Sequence, residues 1–275
     1  MVWEVVHSRT DEHFAVKIMC KDGDQNEEVA FAEVKALKNL SHPNIIRLHA
    51  AYEAPDVYFI VTELCVQPEL MNPWNAWQLA SLLSSLSARS INADSVAKQT
   101  VTKLLLAVEY MHSMQYVHCD IKHENVLIAL NGVPMQLDVR LIDFGLAQKL
   151  DHEDQLLTEV CGTRAHFAPE IIAVDRGLCR GFSKPIDLWG IGLFTFFILC
   201  DEHLFKRRSR RDTEAAISEH AWSFPERPTV SNDAKEFIEQ LLSRSPTERP
   251  TATGALAHRW IHLSAHRASL PAKMP

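Results

Sequence analysis

The chain has 275 residues, of which 47% are apolar and 23% charged, with a net charge of −7 at neutral pH. That length supports a large core or two lobes, and the composition is that of an ordinary globular protein. The acidic balance excludes a dedicated nucleic-acid binder, which would be basic, and suits basic peptide substrates.

Six cysteines (20, 65, 119, 161, 179 and 200) are scattered without a C-x-x-C pair. They read as reduced thiols of an intracellular protein, not as a disulfide framework or a zinc site. His112, His118 and His123 lie near one another, but no cysteine or histidine pair shows closed-site spacing. The N-terminus has no basic region followed by an apolar stretch. The most apolar run, Leu188 to Cys200, is shorter than the ~20 residues a bilayer requires. A cytoplasmic or nuclear protein without membrane contact is expected.

From the N-terminus, residues 2–7 and 14–20 form two β-rich runs around a polar turn. The second carries Lys17 between Val16 and Ile18, and alternation would allow that lysine to face solvent. The next segment, Glu27 to Leu40, has Val29, Phe31, Val34, Leu37 and Leu40 at roughly helical spacing. Its Glu33 offers the partner that a buried Lys17 would need. Ser41-His-Pro-Asn44 breaks the helix, because proline disfavours a helical residue before it. Strands are expected over Ile45–Ala50 and Val57–Thr62. Residues 66–95 are the least regular. Leu79, Leu82, Leu83 and Leu86 would suit a short amphipathic helix, weakened by the Ser-rich run 81–90. From Val96 to Ser113 the stripe Val101, Leu104, Leu105, Val108 and Met111 predicts a clear helix.

The stretch that organises the chain is Tyr116-Val-His-Cys-Asp-Ile-Lys-His-Glu-Asn-Val-Leu-Ile128, followed by Val139-Arg-Leu-Ile-Asp143-Phe-Gly145. Short strands flanking a polar turn would place Asp120, Asn125 and Asp143 on one rim with Lys122 among them. Phosphoryl transfer to a hydroxyl needs such a set. One carboxylate takes or orients the hydroxyl proton, a second carboxylate and an amide oxygen hold Mg²⁺, and a cation neutralises the moving group. A long charged segment follows and ends in Cys161-Gly-Thr163-Arg-Ala-His166-Phe-Ala-Pro-Glu170. Long loops in compact domains are usually functional.

These motifs resemble the catalytic loop H-x-D-x-K-x-x-N and the D-F-G motif of eukaryotic protein kinases. The resemblance runs from Val2 to about Trp260, and the wording His-Pro-Asn-Ile-Ile-Arg-Leu and Cys-Gly-Thr is most similar to the calcium/calmodulin-dependent group. It implies an α+β, bilobal kinase fold, with a small β-rich lobe over residues 1–64, a helical lobe over 65–262 and a polar tail over 263–275. It implies a serine/threonine kinase that uses ATP and Mg²⁺ on protein substrates. Asp120 would be the base, with Lys122 stabilising the transferred group. Asn125 and Asp143 would be the metal ligands, and Lys17 with Glu33 the phosphate clamp. Val2, Ala15, Leu127 and Ile128 would sandwich the adenine, with Thr62 behind it and Glu63 to Cys65 as the hinge. Leu37, Leu48, His118, Phe144 and Asp187 would form a spine between the lobes, and Arg249 would pair with Glu170. Glu69 and Glu124 match positions that receive substrate arginines, and Thr163 lies at the end of the activation segment.

Three departures accompany the resemblance. The family's Gly-rich loop would immediately precede Val2, whereas the first glycine here is Gly23. The first strand and phosphate lid are therefore expected to be missing, leaving an exposed sheet edge and impaired chemistry in this chain alone. A truncated sequence, an alternative start or a degenerate kinase would each look like this. The alternative function is accordingly a pseudokinase scaffold, against which stands the presence of Lys17, Asp120, Asn125 and Asp143. Cys119 replaces the arginine many kinases place before the catalytic aspartate, so activity is expected not to depend on phosphorylation of the segment. Glu159 either supplies a permanent charge there or is one more solvated acid. His166 replaces a common tyrosine at the peptide ledge.

Overall fold

The computed structural model describes residues 1–21, 24–65, 74–75, 93–131, 136–226 and 229–262. The expected helix around Leu79 to Leu86, the tail after residue 262 and Glu69 lie outside the described residues.

The N-terminal lobe is a four-stranded antiparallel sheet in the order β1-β2-β4-β3, built from Val2–Val6, His13–Cys20, Leu48–Glu53 and Val57–Glu63 in chain order. Helix α1, Asp24–Asn39, packs on it. The register places Lys17 opposite Val2 on one side and Ile60 on the other, and Ala15 opposite Thr62. The helix turns Ala30, Glu33, Ala36 and Leu37 inward, while Phe31 is 52% exposed and does not belong to the apolar stripe. The buried face is thus one acid among small and aliphatic residues.

The expected strand Ile45–Ala50 is displaced to Leu48–Glu53. Ile45 instead forms an isolated parallel bridge with Leu141, reinforced by Ile46 N–H donating to the Leu141 carbonyl at 3.0 Å and Leu141 N–H donating to the Asn44 carbonyl at 2.9 Å. Asn44 adds a buried bond from Nδ2 to the Val139 carbonyl at 2.9 Å. These apolar residues are buried because they join the lobes, not because they extend the sheet.

The C-terminal lobe is mainly helical. After β5 (Trp74–Asn75) comes α2 (Ala93–Ser113), then β6 (Tyr116–Val117), β7 (Val126–Asn131), β8 (Gln136–Leu141) and β9 (Gln148–Lys149). The helices α3 (Pro169–Asp175), α4 (Pro185–Cys200), α5 (Arg210–Glu219), α6 (Asn232–Leu241), α7 (Ala252–Leu256) and α8 (Arg259–His262) follow. All five stripe residues predicted for α2 are fully buried. Helix α4 is buried nearly all round, including Asp187. Among the described residues no helix is long and apolar enough to cross a membrane.

Candidate active site

The site is framed by the β7–β8 hairpin, the small β6–β9 pair and the buried helix α4 behind them. Antiparallel β7 and β8 bring Val126 opposite Leu141, so Asn125 and Asp143 emerge from the same end of the pair. Ile142 N–H donates to the Asn125 carbonyl at 2.9 Å and fixes that juxtaposition. Asp143 and Cys119 both have positive φ, 62° and 68°. Such non-glycine conformations persist only where the surroundings enforce them.

The enforcement at Cys119 comes from Asp187 at the start of α4. Its carboxylate accepts from His118 N–H at 2.9 Å and Cys119 N–H at 3.1 Å, and lies 2.9 Å from His112 Nε2. Gly190, one turn further along α4, lets the loop sit directly on the helix, since a Cβ there would stand 2.9 Å from the Ile121 carbonyl oxygen. His118 meets Phe144 edge-on, with ring centroids 4.9 Å apart, and its Nδ1 accepts from Asp120 N–H at 3.3 Å. Leu37, His118, Phe144 and Asp187 are buried, and Leu48 packs against the same core.

On the inner side of the small lobe, Lys17 Nζ donates to Glu33 Oε2 at 2.7 Å and to Asp143 Oδ1 at 2.8 Å. Burial by itself would lower the Lys17 ammonium, but the charges of Glu33 and Asp143 outweigh it and raise the group above its ordinary value. The Glu33 carboxyl is raised by burial, only partly offset by Lys17. Lysine faces two acids while glutamate is almost sealed from water.

Across the cleft, Asp120 Oδ2 lies 2.7 Å from Lys122 Nζ and accepts from Asn125 Nδ2 at 3.1 Å. Lys122 Nζ also donates to Thr163 Oγ1 at 2.6 Å, and Thr163 N–H donates to Asp120 Oδ1 at 2.8 Å. Burial pushes the Asp120 carboxyl up, but the Lys122 ammonium and the Thr163 contact prevail and hold it below its ordinary value. Asp120 is therefore an ionised acceptor. Asn125 spends Nδ2 on the Asp120 carbonyl and carboxylate, and no described residue donates to its Oδ1. That amide oxygen and the 44%-exposed Asp143 carboxylate are a hard-oxygen donor pair of the kind Mg²⁺ takes.

Thus Lys17, Glu33, Asp120, Lys122, Asn125, Asp143 and Thr163 converge. The other expected positions are less tightly defined. Thr62 faces Ala15 across two strands, Leu127 pairs with Arg140 and Asn75, and Val2 is 64% exposed on β1. Glu63 turns its carboxylate to the Arg47 N–H at 2.9 Å and the Arg140 guanidinium at 3.3 Å. Beside it, burial pushes the Cys65 thiol up to about 12. Glu124 is half-exposed and lies 2.9 Å from His123 Nδ1. Glu159 is exposed and forms no ion pair among the described residues, as a solvated acid would. The buried pair Arg249–Glu170 forms through two bonds, at 2.6 and 2.7 Å.

Sequence reasoning missed the network that docks the end of the activation segment. Arg164 reaches Asp175 at 3.0 Å and Glu214 at 3.4 Å, while Arg176 and Arg210 approach the same Glu214 at 3.6 and 2.8 Å. The available signal was the density of arginines and acids along 207–214.

A protein kinase domain model matches residues 1–261. The chain is 33% identical over 250 residues to a calcium/calmodulin-dependent protein kinase of Emericella nidulans, covering 90% of this chain and 56% of that relative. It is 30% identical over 259 residues to myosin light chain kinase A of Dictyostelium discoideum, covering 93% of this chain and 81% of that one. With the calcium/calmodulin-dependent protein kinase type I of Schizosaccharomyces pombe the identity is 31% over 266 residues, covering 94% and 74%. The chain thus spans less than two thirds of the first of these relatives.

Proposed function

This chain belongs to the protein kinase family, and we propose that it transfers the γ-phosphate of ATP to serine or threonine hydroxyls of proteins. The observation that carries the reading is the meeting of Lys17 and Asp143 at 2.8 Å, on the same cleft as an ionised Asp120. Lys17, held by Glu33, binds and orients the nucleotide phosphates. The amide oxygen of Asn125 and the carboxylate of Asp143 would hold Mg²⁺. ATP with Mg²⁺, when bound, supplies the phosphoryl group and the charge neutralisation that phosphoryl transfer requires. Asp120 receives the proton of the attacking hydroxyl, and Lys122 steadies the negative charge beside it. Thr163 ties the activation segment to both groups, so the substrate ledge and the base are positioned together.

Substrates carry arginine or lysine upstream of the target hydroxyl. Half-exposed Glu124, with Glu69 as its expected companion, supports this, since a charge-assisted hydrogen bond contributes roughly 1.5–3 kcal/mol. The test is phosphate transfer from ATP to an oriented peptide library, by this chain and by Asp120→Asn. The variant should keep nucleotide binding and lose turnover by about 10²–10⁴-fold. Equal turnover by both chains would defeat the catalytic assignment. A library without basic bias would remove the roles of Glu69 and Glu124.

A further inference from the structure

Three histidines from segments far apart in sequence meet at the peptide side of the cleft. His123 lies within the catalytic loop, His166 in the activation segment, and His203 in the turn after α4. One ring nitrogen from each lies within 4.8 Å of the others. The rings share an apolar floor, with Phe197 centroids 4.5 Å from His123 and 4.8 Å from His203. They line a cavity of about 200 Å³ together with Leu204 and Thr163. His166 Nδ1 is buried with no hydrogen-bond partner, an arrangement that costs free energy unless something fills it. Glu124 sits 2.9 Å from His123 Nδ1, where a carboxylate fixes the tautomer of a metal-ligating imidazole.

We propose that His123, His166 and His203 form a binding site for a zinc-class divalent transition-metal ion. Three imidazoles with a position left for water match that class, and an all-nitrogen set disfavours Mg²⁺ and Ca²⁺. Tetrahedral ligands at about 2.0–2.1 Å from the ion require the nitrogens to draw closer than they stand here. His203, only partly buried, supplies that freedom through its side-chain rotations. His123, the buried member of the trio, and the sealed, unpaired Nδ1 of His166 supply the fixed side of the site. The ion would fasten catalytic loop, activation segment and the turn after α4 into one unit.

The consequence for activity rests on the kinase reading: an ion beside Glu124 competes with a substrate arginine and raises KM for basic peptides. The binding test needs neither ATP nor peptide, so it stands or falls separately. Metal-stripped full chain is titrated with Zn²⁺ alone by calorimetry, and with Co²⁺ while visible absorption is recorded. We expect one Zn²⁺ more per chain than in His203→Ala. The Co²⁺ bands should lack thiolate charge transfer and disappear in that variant. His203→Cys should restore stoichiometric binding and add a thiolate band, which distinguishes lost ligation from lost folding. Equal Zn²⁺ uptake by wild type and His203→Ala, or His203→Cys without a thiolate band, would overturn the site.

Discussion

Lys17 and Asp143, 126 positions apart in the chain, meet at 2.8 Å, and Glu33 on α1 shares the same ammonium. One cation thus links the small-lobe sheet, its helix and the start of the activation segment. Replacing Lys17 with methionine keeps the length and removes the charge. Lys17→Met is expected to lower kcat/KM roughly 10²–10³-fold, the scale of losing one preorganised electrostatic contact. Glu33→Gln should lose less, because Lys17 keeps Asp143. Steady-state kinetics on a basic peptide with both variants checks the order.

Arg249 and Glu170 are a stability pair. The Arg249 side chain is 0% exposed, and its fork fits the carboxylate through two bonds. Arg249→Ala leaves a buried, unpaired acid and should cost about 3–5 kcal/mol. Arg249→Met with Glu170→Leu should cost much less, because no charge is stranded. Urea unfolding of the single and double variants measures the difference.

Glu214 gives a prediction with a defined pH sign. Its hydrogen bond to Arg210 holds the carboxyl below its ordinary value of 4.5, with Arg164 and Arg176 adding to the effect. A depressed carboxyl binds fewer protons folded than unfolded, so its contribution is present above 4.5 and fades as pH falls through the depressed value. Relative to Glu214→Gln, wild type should be more stable by about 0.2–1 kcal/mol near neutrality, the range of a partly exposed pair. The advantage should vanish in more acid solution. Denaturant midpoints across a pH series read it directly.

Thr158 is exposed, and Cys119, which stands where many relatives carry the phosphate-binding arginine, is buried. The neighbouring Cys161 and burial raise the Cys119 thiol well above its ordinary value. A neutral thiol cannot hold a phosphate on the segment. Thr158→Ala is therefore expected to keep turnover within about twofold of wild type. A loss of all peptide phosphorylation would show that the segment needs that hydroxyl.

Lys17 was legible because it interrupts an apolar run between Val16 and Ile18, and Asp120, Lys122 and Asn125 because they crowd one polar turn between two apolar stretches. The pairing of β7 with β8 then follows from the two apolar stretches around them. The strand at residues 45–50 was misplaced because the pattern of Ile45 and Ile46 looks the same whether apolar residues enter a sheet or a lobe junction. Phe31 was misassigned to the inner face because the one inward acid, Glu33, breaks the stripe that its neighbours suggest. The histidine trio had no signature at all, since each member comes from a different loop. Only folding brings them together.

Asp187 grips His118 and Cys119 by their amide hydrogens and ignores what hangs from the α-carbons. Evolution can therefore redraw position 119 while the loop around it keeps its shape. A lineage could lose a phosphate-sensing side chain there in a single step without disturbing the machinery next door.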